Sequence, residues 1–284
     1  MSDFLKDEYV NAVPCDVKVS VCMITYNHGP YIAQAIESVL MQKTSFPFEL
    51  CIGEDDSSDE TRAICLSYAQ KYPDIIRLFL RDKNDKIYHG GKPTGKKNGI
   101  LTRKACRGTY IAMLEGDDFW IDEKKLHRQY DLMESNPMLA VCCTRAIKRF
   151  AETGVDQVYP EYREAGAAQS FFFGLRTNIA TATLFYRRSE EAREFTLNPQ
   201  VFLGDWALLI SLTENGRNCM ILPSVTAVYR KHDEGFWTGD TFHNSDKLRI
   251  SIQAAEEYLK VCPSDAVKPM VRSVRQLRRK LKLS

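Results

Sequence analysis

Apolar and polar positions fall into two alternating periods along the first half of the chain. Residues 19–26 (VSVCMITY) form a β-rich, mostly apolar run of strand length, closed by the turn-prone Asn27-His28-Gly29-Pro30. From Tyr31 onward Ile32, Ala35, Ile36, Val39 and Leu40 recur at helical spacing and predict an amphipathic helix. The step repeats with a strand at 48–53, an acidic loop at 54–59 and a helix from 60 that stops before Pro73. A third strand at 75–80 leads into a long polar, Gly- and Lys-rich loop at 81–97, a helix reaching Cys106 and a strand at 109–114. Further on, Leu126, Tyr130 and Met133 share a helix face ended near Asn136-Pro137, and an apolar strand follows at 139–144. Residues 148–174 read as irregular, 181–186 as a strand, 205–214 as a helix and 225–229 as a late strand.

Strands alternating with helices predict an α/β domain with a largely parallel sheet. In such sheets ligands bind beyond the carboxyl ends of the strands, where loops and helix N-termini converge. Thr25-Tyr26-Asn27, Glu54-Asp55-Asp56 and Glu115-Gly116-Asp117-Asp118 each follow a predicted strand, so three strand ends are expected to line one crevice. The organisation expected is a leader at 1–17, a main domain at 18–240 in two halves that meet near 120, and a tail at 241–284.

Composition narrows the class. The 284 residues, 44% hydrophobic and 27% charged, suffice for one large domain or two small ones. Lys plus Arg number 39 against 37 Asp plus Glu, a net charge of +2, so no global field selects nucleic acid or an acidic polymer. The nine cysteines, an odd number without a CxxC pair, read as reduced thiols and fit a cytoplasmic compartment. The opening MSDFLKDEYV lacks the apolar core of a signal peptide, and no run of about 18 apolar residues occurs, so neither secretion by that route nor a membrane span is expected.

Glu115-Gly116-Asp117-Asp118 places three carboxylates within four residues. Like charges so close repel unless a cation or strong donors compensate. A divalent cation is the simplest compensation, and oxygen ligands suit Mg²⁺ or Mn²⁺, which share their coordination with substrate phosphates. A solvated acidic turn, or a helix N-cap at Asp117 or Asp118, accounts for the same residues, and the tetrapeptide by itself leaves both readings open.

Five segments in order add to this: VSVCMITYN, GEDDSSDET, GTYIAMLEGDDFW, LGDWALL and YRKHDEGFW. Over roughly residues 18–240 they resemble the glycosyltransferases of family two, mostly inverting enzymes that share the GT-A fold. The resemblance implies a Rossmann-like α/β domain with a largely parallel central sheet flanked by helices, here with a C-terminal helical extension. It also implies a nucleotide-sugar donor, a divalent metal (Mn²⁺ or Mg²⁺) and a glycan or lipid-linked glycan acceptor. In the family's D-x-D motif Glu115 takes the first position and Asp117 the third; Asp117 would hold the metal, Glu115 would face the donor's ribose or a metal-bound water, and Asp118 would support them.

The acidic loop aligns with the family's D-D-G-S-T-D-G-T, placing Glu54 and Asp55 on the paired acids and Asp56 where glycine is usual. Asp55 would accept the imide N–H of the base, which suits uracil rather than cytosine and favours a UDP-sugar. Thr25, Tyr26 and Asn27 would flank that base, while Asp59 and Thr61 read as helix capping. Asn98 lies, with Lys96, Lys97 and Arg103, in the segment that the family packs beside the nucleotide; a cation there would meet diphosphate charge or form a solvated helix face.

An inverting transfer needs one general base for the acceptor hydroxyl while the nucleotide diphosphate leaves. Asp205 matches the family's catalytic acid, with a helix N-cap as its structural alternative. Trp206 and Thr181 are the acceptor-side positions, Trp206 suiting either a stacked sugar or the core. His232 would complete the metal site or order a lid at 233–240, and Arg230 or Lys231 would reach the diphosphate. The tail 268–284 carries seven Lys and Arg and no acid, with Val271, Val274, Leu277 and Leu281 at helical spacing. That pattern fits a helix resting on an anionic membrane surface, or one packed on the domain. The expectation is therefore a transferase of bacterial surface-polysaccharide type. The rival readings are a non-catalytic binding or membrane-docking protein of the same fold, and a sugar-phosphate nucleotidyltransferase, whose early Gly-rich phosphate loop this chain does not show.

Overall fold

The computed structural model describes residues 8–89, 92–150, 153–160, 179–188 and 218–232, with ten further helical positions between 208 and 279. Its centre is a nine-stranded sheet. β1 (Val19–Thr25), β2 (Phe48–Glu54), β3 (Ile76–Leu80) and β6 (Tyr110–Glu115) are mutually parallel in the order β3-β2-β1-β6. β10 (Phe185–Arg187) runs antiparallel between β6 and β8 (Leu139–Phe150). The sheet then continues through β11 (Asn218–Lys231), parallel to β8, to the short β7 (Phe119–Trp120).

The mostly apolar character of β1 follows from burial on both faces. Val19, Val21 and Met23 pack with Ile32, Ala35, Ile36 and Val39 of α1 (Gly29–Leu40) and Cys65 of α2 (Thr61–Lys71). Cys22, on the opposite face, packs with Cys51, Phe79, Ala105 and Cys106 near the end of α3 (Lys96–Ala105). α4 (Lys125–Ser135) buries Leu126 and Met133 on the α1 side. The eight cysteines among the described residues are all free thiols, seven of them buried, as the sequence implied.

The amino edge of the sheet is closed by a buried polar network. Glu49, fully buried, accepts from Ser20 Oγ at 2.6 Å, from the Arg107 N–H at 2.7 Å and from Arg77 Nη1 at 3.2 Å. Arg77 also donates to Glu8 and to the Ala105 carbonyl. Arg77 and the two carboxylates thus satisfy one another at the end of the sheet opposite the acidic loops.

Four expectations about elements change. The loop at 81–97 contains a 3₁₀ turn (Lys83–Asp85) and a hairpin of β4 (Ile87–His89) and β5 (Lys92–Thr94). β8 runs on to Phe150 and pairs antiparallel with β9 (Asp156–Tyr159), so 148–174 is not irregular throughout. At 181–186 a 3₁₀ turn (Thr181–Thr183) precedes the strand. β11 starts at Asn218 rather than 225; its register slips on either side of Val225, beside Pro223, where a proline cannot donate to the ladder. Apolar periodicity missed these extensions because polar residues within them, such as Lys148 and the exposed Arg149, break the pattern.

Candidate functional site

The expected crevice is formed by adjacency in the sheet. Thr25 is level with Glu54 across β1–β2, and Ile24 is level with Glu115 across β1–β6, so three strand ends stand side by side. The Asp55 N–H donates to the Thr25 carbonyl at 3.0 Å and the Gly116 N–H to the Ile24 carbonyl at 2.9 Å, which fixes where each loop departs. A Cβ on Gly116 would lie 2.5 Å from Thr25 Oγ1 and 2.9 Å from His28 Nδ1, so the close passage of the acidic turn over β1 requires glycine.

Glu115, Asp117 and Asp118 each bring a carboxylate oxygen within 4.8 Å of the others. β11 delivers His232 to the same place, its Nε2 3.2 Å from Asp117 Oδ2, and His28 Nε2 approaches that oxygen to 3.7 Å. Burial opposes ionisation of Asp117, but the His232 hydrogen bond and the two imidazoles outweigh it and hold the carboxyl below its usual value. Asp118 behaves oppositely: complete burial, then the charges of Asp117 and Glu115, push it well above the carboxylate range. Its Oδ1 accepts from the Arg230 N–H at 2.9 Å, whereas its buried Oδ2 has no hydrogen-bond partner among the described residues. Three clustered carboxyls with an imidazole at their rim and one unsatisfied oxygen make a donor set that fits a hard divalent cation.

The second strand end divides its acids. Glu54 is fully buried and turns back to Arg62 and the Ser57 N–H, so it holds the loop. Asp55 stays in the crevice, where burial raises its carboxyl to about 6, against the pull of Lys86. Asp56 adopts φ 56°, the left-handed conformation for which the family uses glycine and which aspartate tolerates. Asn27, at φ 52°, accepts from the Ser58 N–H at 2.9 Å and thus ties the first turn to the second. Tyr26 presents its ring to Lys86 Nζ, 3.7 Å from the centroid.

Asp59 and Thr61 act as caps, in large part on the other helix. Asp59 accepts from the Gly29 N–H at 2.8 Å and Thr61 Oγ1 from the His28 N–H at 2.8 Å, at the start of α1, while Asp59 also accepts from the Thr61 N–H. Asn98 is buried, donating to the Gly53 carbonyl at 2.8 Å and accepting from Thr102, so it joins α3 to β2. The Arg230 guanidinium reaches the Asp117 carbonyl and Gln34 and lies over Phe119, bracing the acidic turn. Thr181 opens the 3₁₀ turn that packs beside β6. Asp205, Trp206 and the lid segment 233–240 lie outside the described residues.

Sequence reasoning missed His28, Lys86 and the bracing role of Arg230. His28 had a signal, as a histidine just after the first strand end. The other two are placed by tertiary contacts with no local pattern.

Comparison with known proteins places this geometry. The glycosyl transferase family 2 profile matches residues 20–193. An uncharacterized protein of Mycobacterium tuberculosis is 32% identical over 221 residues, 77% of this chain and 60% of its own length, so the chain spans well under the whole of that relative. The Escherichia coli enzyme UDP-Glc:alpha-D-GlcNAc-diphosphoundecaprenol beta-1,3-glucosyltransferase is 36% identical over 121 residues, 43% of each protein. Staphylococcus aureus TarS 1–349, solved with UDP-GlcNAc, superposes with a TM-score of 0.65 at 16% identity, covering 92% of this chain and 73% of that one. A Pyrobaculum calidifontis mannosyltransferase solved with GDP-Man and Mn²⁺ also gives 0.65 at 16% identity, covering 98% and 75%. The structural likenesses establish the GT-A fold, and with the profile covering more than half of its length the chain belongs to glycosyl transferase family 2.

Proposed function

We propose that the protein transfers a sugar, with inversion, from a UDP-sugar to a hydroxyl of a glycan or lipid-linked glycan in bacterial surface-polysaccharide synthesis. The observation that carries the reading is the meeting of Glu115, Asp117, Asp118 and His232 beside Tyr26 and Asp55 in one crevice. Tyr26 and Asp55 hold the base, Asp55 as acceptor for its imide N–H. Asp117 and His232, with Glu115 beside them, would hold Mn²⁺ or Mg²⁺, which when bound supplies Lewis-acid stabilisation of the departing diphosphate. Asp205, on the motif resemblance, takes the proton of the attacking hydroxyl, and Trp206 and Thr181 orient the acceptor. The UDP-Glc donor and diphosphoundecaprenol-linked acceptor of the Escherichia coli relative, and the UDP-GlcNAc bound by TarS, support a UDP-sugar and a lipid-linked acceptor. The basic stretch 268–284 would keep the enzyme at an anionic membrane surface, near such an acceptor.

Thermal stabilisation by UDP, GDP, CDP and their sugars, with Mn²⁺ and with chelator, tests the reading. UDP-sugars with Mn²⁺ should stabilise most; equal, metal-independent responses to all nucleotides would refute it. Asp205→Asn should bind donor normally and transfer nothing, and transfer near the parent rate removes Asp205 from the base role. Unchanged membrane partitioning after truncation beyond Pro263 removes the membrane element.

A further inference from the structure

The sheet edge that carries the acidic turn continues into β8 and β11, which run parallel to β6 and end on the same side. β8, β9 and β11 hold five cations, Arg145, Lys148, Arg149, Arg230 and Lys231, against one acid, Asp156. On one face Arg149 stands directly opposite Arg230, a repulsive register that local partners answer. Asp156 meets Arg149 at 2.8 Å, and the Asp117 carbonyl and Gln34 take Arg230. The other face is built differently. Paired residues of neighbouring strands share a face, so Tyr159, Ala146, Ala227 and Trp120 form one row across β9, β8, β11 and β7. Gln157, Lys148 and Tyr229 form the next row, and Phe150 and Lys231 the one after it.

Aromatic rings and ammonium groups therefore alternate over three adjacent strands. The Tyr159 and Tyr229 rings lie 6.2 Å apart, Lys148 Nζ is 5.3 Å from the Phe150 ring and 5.8 Å from that of Tyr159, and Lys231 Nζ is 4.8 Å from that of Tyr229. All five side chains are partly exposed. This face also adjoins the acids: burial raises the Tyr159 hydroxyl above its usual range, and Tyr229, Asp118 and Glu115 add to the effect. We propose that this face receives the acceptor, Lys148 and Lys231 binding the diphosphate of a lipid-linked sugar while Tyr159 and Tyr229 carry the sugar beside the acidic turn. The inference rests on the glycosyl-transfer reading above and names the face and the charge of its acceptor. Two ammonium groups on adjacent strands match two adjoining phosphates, whereas a polyol phosphate polymer presents single charges a whole repeat apart. Contact with a ring holds an ammonium in place and leaves its N–H donors for the ligand. Tyrosine offers a sugar an apolar face and a polar tip.

Calorimetry on the full chain, with Mn²⁺ and saturating UDP to fill the donor site, tests the proposal. The probes are an alkyl GlcNAc diphosphate, chosen after the acceptor of the Escherichia coli relative, the uncharged alkyl GlcNAc glycoside, and a glycerol phosphate polymer bearing GlcNAc. The parent should bind the diphosphate at least tenfold more tightly than the glycoside. Lys148→Met should lose about tenfold for the diphosphate, as for a hydrogen bond to a charged group, and nothing for the glycoside or for UDP. Lys148→Arg should retain the preference, and Tyr159→Leu should weaken both GlcNAc probes alike; parent-like melting checks that each variant folds. A parent that binds diphosphate and glycoside equally, or neither, overturns the proposal, as do equal losses for both in Lys148→Met or an unchanged Tyr159→Leu. Tighter binding of the polymer than of the diphosphate overturns the lipid assignment. UDP binding is measured before any acceptor is added: a parent that fails there sinks the nucleotide reading, whereas one that binds UDP and shows no dependence on Lys148 sinks only this inference.

Discussion

Gly116→Ala isolates the requirement that holds the acidic turn against the first strand. The added methyl would stand 2.5 Å from Thr25 Oγ1, 2.7 Å from Thr25 Cβ and 2.9 Å from His28 Nδ1, each far inside van der Waals contact. The His28 ring is partly exposed and can swing away. Thr25 cannot: it is β-branched, buried, and sits on a strand paired on both sides with β2 and β6. Relief therefore requires the Glu115–Asp117 backbone to move outward by about 1 Å, and overpacking of this kind costs about 1–3 kcal/mol. For a domain of this size that corresponds to a melting temperature lower by roughly 2–10 °C. The same displacement spreads the carboxylates flanking Gly116, and metal affinity should fall at least tenfold, as for other disturbances of ligand support. Scanning fluorimetry with and without Mn²⁺ and UDP reads both effects. Combining Gly116→Ala with Thr25→Ala removes the hydroxyl contact but not the Cβ contact and should recover part of each loss. A Gly116→Ala protein with the parent melting temperature and the parent Mn²⁺-dependent response to UDP would refute the reasoning.

Three other perturbations follow from the structure. Because burial lifts Asp55 to about 6, with Lys86 and Arg81 pulling down and Glu54 and Asp56 pushing up, UDP affinity should fall as pH drops below about 6; calorimetry showing a flat affinity from pH 7.5 to 5 would exclude Asp55 as the ionised acceptor. Lys125 is buried against the Trp120 ring, donates to Gln129 at 2.6 Å and is pushed down to about 7 by burial. The unfolded chain thus binds more protons between about 7 and 10.5, so stability should rise with pH across that window, and Lys125→Met should flatten the slope; identical slopes in urea melts would contradict this. Asp56→Gly removes a non-glycine residue from φ 56° and forfeits only a 3.7 Å, half-exposed approach to Arg62, so it should raise stability by about 0.5–1 kcal/mol; a clear fall in melting temperature would count against the strain argument.

The parallel half of the sheet was legible where its strands are buried on both faces and α1 is amphipathic, so that periodicity and burial coincide in β1, α1 and β6. The acidic turn and Asp55 were legible as charges placed at strand ends. The far half was less so. β8 and β11 are long strands whose outer residues are polar, and their pairing joins segments far apart in the chain, which no local pattern encodes. The roles of Asn98 and Glu54 were hidden for a related reason: both are polar residues near the expected crevice whose side chains are consumed by internal hydrogen bonds.

How the chain holds three carboxyls together explains why the far half matters to the site. Immediately after the cluster come Phe119 and Trp120, both buried, and Trp120 is tied by its N–H to Ser38 Oγ and by its indole to the Ala182 carbonyl. These two residues form β7 and pair with Ala227 and Val228 of β11, so the turn is stapled to a strand more than a hundred residues later. Two positions beyond that pairing, β11 delivers the Arg230 N–H to Asp118, and then His232 to Asp117. Burying a tryptophan and a phenylalanine stabilises by several kcal/mol, on the order of 2–3 each, and works against the repulsion that the clustered carboxyls impose. The apolar pair therefore keeps the acids close, and the same strand pairing that anchors it brings the imidazole. On this account the proposed metal site extends beyond Glu115-Gly116-Asp117-Asp118: it is the acidic turn, the Phe119-Trp120 anchor and the end of β11 acting as one unit.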